Sequence, residues 1–257
     1  MRCRPWATGL VAAMVAALAL AGCSSSHPAG SATPSATATN VVYVAVGASE
    51  SVGVGSSDPL RGAWTQRFYR SALPASAVFV NVAVSGSTTA EALQNQVPQA
   101  LKLDPTLVTV WLNVNDIIHG VTPAEYQGQL QSLVSQLRRG GATTVLVANT
   151  PPLDELPAYR ACLAGAGTLG AASLCPSPLP SPAALDAEVA AYNAAAAAVT
   201  SATGAVLVDL HAVGLAAEKD GTEPSLISGD GFHPSDAGYA LVAKTFADAL
   251  AASGAKP

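Results

Sequence analysis

Ser49 sits in Gly47-Ala48-Ser49-Glu50-Ser51, directly after the apolar run Val41-Val42-Tyr43-Val44-Ala45-Val46. Far downstream stands Asp230-Gly231-Phe232-His233-Pro234, and between the two lie Ser85-Gly86 and Asn113-Val114-Asn115-Asp116. A serine, a histidine and an acid are the parts of a nucleophile, its general base and the group that orients the base. Ser85-Gly86 and Asn113-Val114-Asn115-Asp116 offer two candidate donors for a developing oxyanion. Together these residue types point to acyl transfer. Asp230 and His233 are separated by two residues, so a single turn can fold the carboxylate back under the imidazole.

These residues act together only if the chain brings their segments to one place. Five apolar, β-branched runs recur at 41–46, 77–84, 106–112, 143–148 and 205–210. None alternates cleanly, the pattern of strands buried on both faces of a parallel sheet. Helices fall between them. The clearest opens at Thr122-Pro123-Ala124-Glu125, a capping box with proline at the first helical position, and Gly140 and Gly141 end it. Others are expected from Ser181 to about 201, from Ser235 to about 252, and over 61–73 and 88–102. The alternation predicts an α/β fold, a doubly wound α/β/α sandwich on a five-stranded parallel sheet. Residues 153–180 interrupt it as an excursion over one end. Ser49, Gly86 and Asn115 follow strands one, two and three, and Asp230 and His233 precede the last helix. All are expected at the carboxyl edge, where open α/β sheets bind ligands.

Four short blocks in this order resemble those of the GDSL/SGNH hydrolases, a family of serine esterases and lipases with a flavodoxin-like fold. Gly47-Ala48-Ser49 stands where the family has Gly-Asp-Ser. Ser85-Gly86-Ser87-Thr88-Thr89 resembles the glycine block, Asn113-Val114-Asn115-Asp116 resembles Gly-x-Asn-Asp, and Asp230-Gly231-Phe232-His233 matches Asp-x-x-His. The resemblance implies Ser49 as nucleophile, His233 as base, Asp230 as its orienting acid, and Ser49, Gly86 and Asn115 as the oxyanion hole, with no cofactor. Two positions depart from the pattern. Ala48 replaces an aspartate that helps hold the serine loop in the family, which bears on the loop's rigidity rather than on the chemistry. The Asn113 side chain, where the family has glycine, is expected to narrow the cleft or to hydrogen-bond locally.

The ends of the chain speak to location. Arg2 and Arg4 precede an almost wholly apolar stretch over residues 7–21, read as a signal peptide over 1–22. Leu20-Ala21-Gly22-Cys23 resembles the lipobox of bacterial lipoproteins, which implies cleavage before Cys23, lipid on that residue and an exported, membrane-anchored protein, with plain secretion as the alternative. Residues 24–40 are Ser, Thr, Ala, Pro and Gly with little else, a flexible tether to a domain over 41–257. Without Arg2 and Arg4, ten basic residues face seventeen acidic ones, a net charge of −7. Such a balance leaves no basic patch for nucleic acid. Cys162 and Cys175, thirteen apart in the excursion, read as a disulfide in an exported protein, with a stabilising effect of about 3 kcal/mol.

Other motifs read as incidental. Asp116-Ile117-Ile118-His119 repeats the Asp-x-x-His spacing, but no metal is expected and His119 reads as an exposed loop residue near the cleft. His211 reads as a partly buried structural histidine at the end of strand five, and His27 as a solvated tether residue. Gly165-Ala166-Gly167-Thr168-Leu169-Gly170 lacks the preceding strand of a dinucleotide site. No Gly-x-Ser-x-Gly elbow occurs. The expected substrate is a small or polymer-borne carboxylic ester. A carbohydrate O-deacetylase, or a non-catalytic cell-surface binding protein on the same scaffold, are the alternatives.

Overall fold

The computed structural model describes residues 41–165, Cys175 and residues 178–255. The signal segment, Cys23, the tether with His27 and most of the glycine pattern after Gly165 lie outside the described residues.

The chain alternates as expected: β1 (Val42–Gly47), α1 (Ser49–Val52), α2 (Pro59–Gly62), α3 (Trp64–Ala72), β2 (Val78–Asn81), α4 (Thr89–Asn95), α5 (Val97–Leu101), β3 (Leu107–Trp111), α6 (Val114–Ile118), α7 (Pro123–Arg138), β4 (Thr144–Ala148), α8 (Pro157–Leu163), α9 (Pro182–Thr203), β5 (Val206–Val208), α10 (Leu210–Lys219), α11 (Glu223–Leu226) and α12 (Asp236–Ser253). All strand pairs are parallel, in the order β2-β1-β3-β4-β5. Alternate residues of the inner strands feed two separate cores. Val44, Val46, Val108 and Val110 pack with Tyr126, Leu130 and Leu133 of α7 and with Tyr192 of α9. Tyr43, Ala45, Leu107 and Trp111 pack on the other face with Trp64 and Phe68 of α3 and Phe246 of α12. This is the predicted α/β/α sandwich, and it explains the unbroken apolar runs.

The helix signals hold at the level of individual bonds. Thr122 accepts from the Glu125 N–H while the Glu125 carboxylate accepts from the Thr122 N–H, and Thr88 and Glu91 repeat the box at α4. Ser181 caps α9, and Gly204, at φ 69°, ends it. The disulfide between Cys162 and Cys175 is present.

Three boundaries differ from expectation. Strand five ends at Val208 rather than 210, because the Asp209 carboxylate accepts from the Ala212 N–H and starts α10 there. His211 therefore lies in the first turn of a helix; its N–H donates to Asn149 Oδ1, which keeps its role structural. The expected helices over 61–73 and 88–102 are each divided, at Ala63 and at Gln96. The excursion carries a helix of its own, α8.

Gly238, in the first turn of α12, packs against the backbone of α11. A Cβ there would collide with the Leu226 carbonyl and come within 3.0 Å of Pro234 Cβ. Gly238→Ala is expected to lower stability by about 1–3 kcal/mol, the usual range for overpacking. Urea unfolding would show this as a lower midpoint at unchanged slope; an unchanged midpoint would contradict the contact.

Candidate active site

The order of a parallel sheet reverses once, between β1 and β3, and there the loops after the two strands diverge to opposite faces and leave a crevice. The loop after β1 begins α1 with Ser49, and the loop after β3 carries Asn115 in α6. Ser49 is the first residue of its helix, so its N–H has no acceptor within the helix and remains available for a ligand.

The glycine block comes alongside through a turn in which the Ser87 N–H donates to the Val84 carbonyl (3.1 Å), with Gly86 at φ 83°. An L side chain adopts that φ only under strain, which is why glycine stands there. The Asn115 side-chain amide donates to the Ser87 carbonyl (3.0 Å), joining the third block to the second. A carboxamide nitrogen has two protons, so one remains for another acceptor.

Ser49 and His233 are brought close by contacts that the four motifs do not reveal. The Tyr239 hydroxyl of α12 donates to the Val54 carbonyl (2.5 Å), and the Ser56 hydroxyl donates to Asp236 (2.6 Å). Gly55, at φ 94°, sits so near the histidine loop that a Cβ would lie 2.9 Å from His233 Cβ. The segment after Ser49 is thereby fastened to the start of α12. Within the histidine loop, Asp230 Oδ2 lies 2.6 Å from His233 Nδ1. Asp230 Oδ1 accepts from the Phe232 N–H (2.8 Å), the His233 N–H (2.9 Å) and the Ser228 hydroxyl (2.8 Å). Burial alone would raise the Asp230 pKa; these hydrogen bonds outweigh it and bring it down to about 2. Asp230 therefore stays charged across the working range, and the stability it confers is lost only as pH falls from the usual carboxylate range toward about 2.

Ala48 and Asn113 have different consequences from those expected. Ala48 is buried in the core, and the loop is held instead by Gln96, a fully buried residue that the sequence reading passed over. The Gly47 N–H donates to Gln96 Oε1 (2.9 Å), and Gln96 Nε2 donates to the Gly47 carbonyl (2.9 Å) and to the Ser87 hydroxyl (3.1 Å). One amide thus fixes the serine loop to the glycine block. Asn113 is buried, but neither polar atom of its side chain has a protein partner, so the expected local hydrogen bond is not made. The second Asp-x-x-His pair does not form. Asp116 accepts from the Thr89 N–H (3.0 Å) and hydroxyl (3.0 Å), while His119 is exposed with its Nδ1 at 2.7 Å from the Asn115 carbonyl. Burial raises the Asp116 pKa, against the pull of those Thr89 bonds. Among the described residues no three His, Cys, Asp or Glu side chains converge as metal ligands.

The second residue absent from the sequence reading is Glu50. It is buried, and the Ser49 hydroxyl donates to its Oε2 at 3.4 Å rather than to His233. Burial pushes the Glu50 carboxyl upward, partly offset by its own N–H, the nearby His233 and the Ser49 hydroxyl. The only signal in the sequence was a carboxylate next to the nucleophile.

Against this geometry the sequence profile of the GDSL-like lipase/acylhydrolase family matches residues 45–241. The chain belongs to that family. Within a curated relative, esterase TesA of Pseudomonas aeruginosa, 80 residues are 32% identical, covering 31% of this chain and 40% of that esterase's length. The fold is shared with several proteins of known structure. Psychrotrophic esterase EstA from Pseudoalteromonas sp. covers 83% of this chain and 98% of its own at 15% identity and a TM-score of 0.59. TesA covers 82% and 99% at 22% identity and 0.58. A two-domain esterase active on acetylated mannans covers 85% of this chain and 50% of its own at 16% identity and 0.60.

As a GDSL-like acylhydrolase, the chain should depend on Gln96 for the loop that carries Ser49. Gln96→Ala would leave the Gly47 N–H without a partner and is expected to lower stability by about 1–3 kcal/mol. A denaturant titration within about 0.5 kcal/mol of the parent would contradict the clamp.

Proposed function

We propose that the protein is a serine esterase that cleaves carboxylic esters through an acyl-serine intermediate, anchored outside the cytoplasm by lipid on Cys23. The single observation that carries the reading is the juxtaposition of the Asp230–His233 pair, at 2.6 Å, with the α1 segment that begins at Ser49. Ser49 Oγ attacks the ester carbonyl carbon and its proton passes to His233 Nε2. Charge on the carbonyl oxygen is met by the Ser49 and Gly86 N–H groups and the free Asn115 amide proton. The bond from carbon to the alkoxy oxygen then breaks, and His233 returns the proton to the departing alcohol. Water repeats the sequence on the acyl-enzyme, releasing the acid and restoring Ser49. Asp230, already ionised, holds the imidazole in place and stabilises its charged form.

The substrate side favours acyl chains over sugars. A cleft of about 460 Å³ opens beside the site, lined by Val114, Ile118, Leu153, Leu156, Leu185 and Phe232 among others. Val114 neighbours Asn115 and Phe232 neighbours His233, so the cleft starts where the acyl carbonyl would sit. Each methylene it removes from water is worth about 0.8 kcal/mol, or about fourfold in kcat/KM.

With p-nitrophenyl esters, turnover is expected to rise from acetate to longer chains until the cleft is filled, and Ala158→Phe, on its wall, should move the optimum to shorter chains. Activity confined to acetate, with acetate release from acetylated polysaccharide, would favour a deacetylase instead. Ser49→Ala is expected to lose turnover by at least about 10³-fold with the fold intact; a fully active variant would sink the mechanism.

A further inference from the structure

Glu50 has no part in the mechanism above, yet it is the carboxyl nearest the nucleophile in sequence and shares a hydrogen bond with it. It sits in α1 with only 8% of its surface exposed, and the Ser49 hydroxyl points to its Oε2 at 3.4 Å. It also lines a small cavity of about 120 Å³ walled by Trp111, Leu153, Leu156, Phe232 and Pro234. Phe232 and Pro234 are the residues on either side of His233. Among the described residues no lysine or arginine lines this cavity. A carboxyl in such a place has little to gain from water and no fixed cation to offset its charge. The charge that can appear beside it is the imidazolium of His233, which exists while His233 holds the serine proton.

Resting on the serine-esterase reading, we propose that Glu50 is a positioning residue of this site: it orients the Ser49 hydroxyl in the free enzyme and stabilises the His233 imidazolium that forms when Ser49 attacks. Asp230 holds His233 from Nδ1, and Glu50 adds a second carboxyl on the side of the nucleophile. Burial pushes the Glu50 pKa up, and its own N–H, the nearby His233 and the Ser49 hydroxyl offset part of that; the stabilising role is that of the ionised carboxylate, and no proton leaves Glu50 in the step. Among the described residues, Glu218 of α10 and Glu223 of α11 line the cavity with Glu50, Tyr239 of α12 feels Glu50, Asp230 and Asp236, and Arg67 of α3 pairs with Asp236 at 3.8 Å. The one cation among them, Arg67, is engaged with Asp236 and does not line the Glu50 cavity.

The test is Glu50→Gln in the protein with its tether and domain intact, with Ser49→Ala beside it, assayed on a p-nitrophenyl ester from about pH 4.5 to about pH 9. Glutamine keeps the shape and an acceptor for Ser49 but cannot carry charge. Turnover is expected to fall about tenfold near neutral pH with KM little changed, and the acid limb to move lower by roughly 0.5–1 pH unit, because the carboxylate that favoured the protonated imidazole is gone. Thermal melting supplies a readout that needs no activity. A carboxyl whose folded pKa is raised destabilises the fold above its unfolded pKa and is neutral below it. The Tm of Glu50→Gln should therefore exceed that of the parent near neutral pH, and the gap should close near pH ~4.5. Parental turnover that vanishes in Ser49→Ala, together with a Glu50→Gln profile superimposable on the parent, would overturn the role of Glu50 alone. A Tm gap that does not change with pH would contradict the buried, uncompensated carboxyl on which the inference stands. A folded parent with no turnover on any ester would remove the esterase reading, and this role with it.

Discussion

Everything functional in this molecule hangs on β1 being hydrogen-bonded on both sides, to β2 on one edge and to β3 on the other. That pairing places the carboxyl ends of three consecutive strands next to one another. Parallel strands demand long crossovers, so the loops that leave these ends are free to carry chemistry rather than tight turns. The strand reversal beside β1 opens the crevice, and the apolar cores above and below hold the sheet rigid enough for the loops to be aimed. Ser49, Gly86 and Asn115 are near one another because Gly47, Asn81 and Trp111 end strands that are neighbours.

A second level of constraint is polar and buried. Gln96 joins the serine loop to the glycine block, Asp116 fixes the start of α4 through Thr89, and Asn115 ties back to Ser87. Tyr239, Asp236 and the close approach at Gly55 then fasten that assembly to the histidine loop. The Gln96 and Asp116 bonds replace water at buried donors and acceptors, where a missing partner is costly. The site is therefore stiff without the aspartate that Ala48 displaces. Glu50 is the exception, a buried acid whose hydrogen bond to another side chain is the long one from Ser49, at 3.4 Å.

Much of this was readable from the chain. The five apolar runs gave strands within a few residues, because burial on both faces leaves no other pattern. The capping box at Thr122 was correct because its signal is local. The four blocks pointed to Ser49, Gly86, Asn115, Asp230 and His233; the first three follow the ends of neighbouring strands, and the last two lie in the loop before α12. What escaped was long-range. Gln96 looks like any helix residue until Gly47, 49 positions earlier, is seen against it. The start of α10 depends on Asp209 capping immediately after a three-residue strand, and β-branched Val206–Val208 followed by Leu210 reads as one longer run. Glu50 drew no reading from the sequence, since the cavity that it lines is completed by residues of α10, α11 and α12, all far along the chain.

The most direct test of the central claim is to treat the protein with a fluorophosphonate, a probe that forms a stable bond to an activated serine, and to map the adduct by mass spectrometry. Ser49 is expected to carry a single adduct at equimolar yield, and His233→Ala should slow its formation at least about 100-fold. A folded protein that stays unmodified, or that carries the adduct on another residue, would contradict the assignment of Ser49 as the nucleophile.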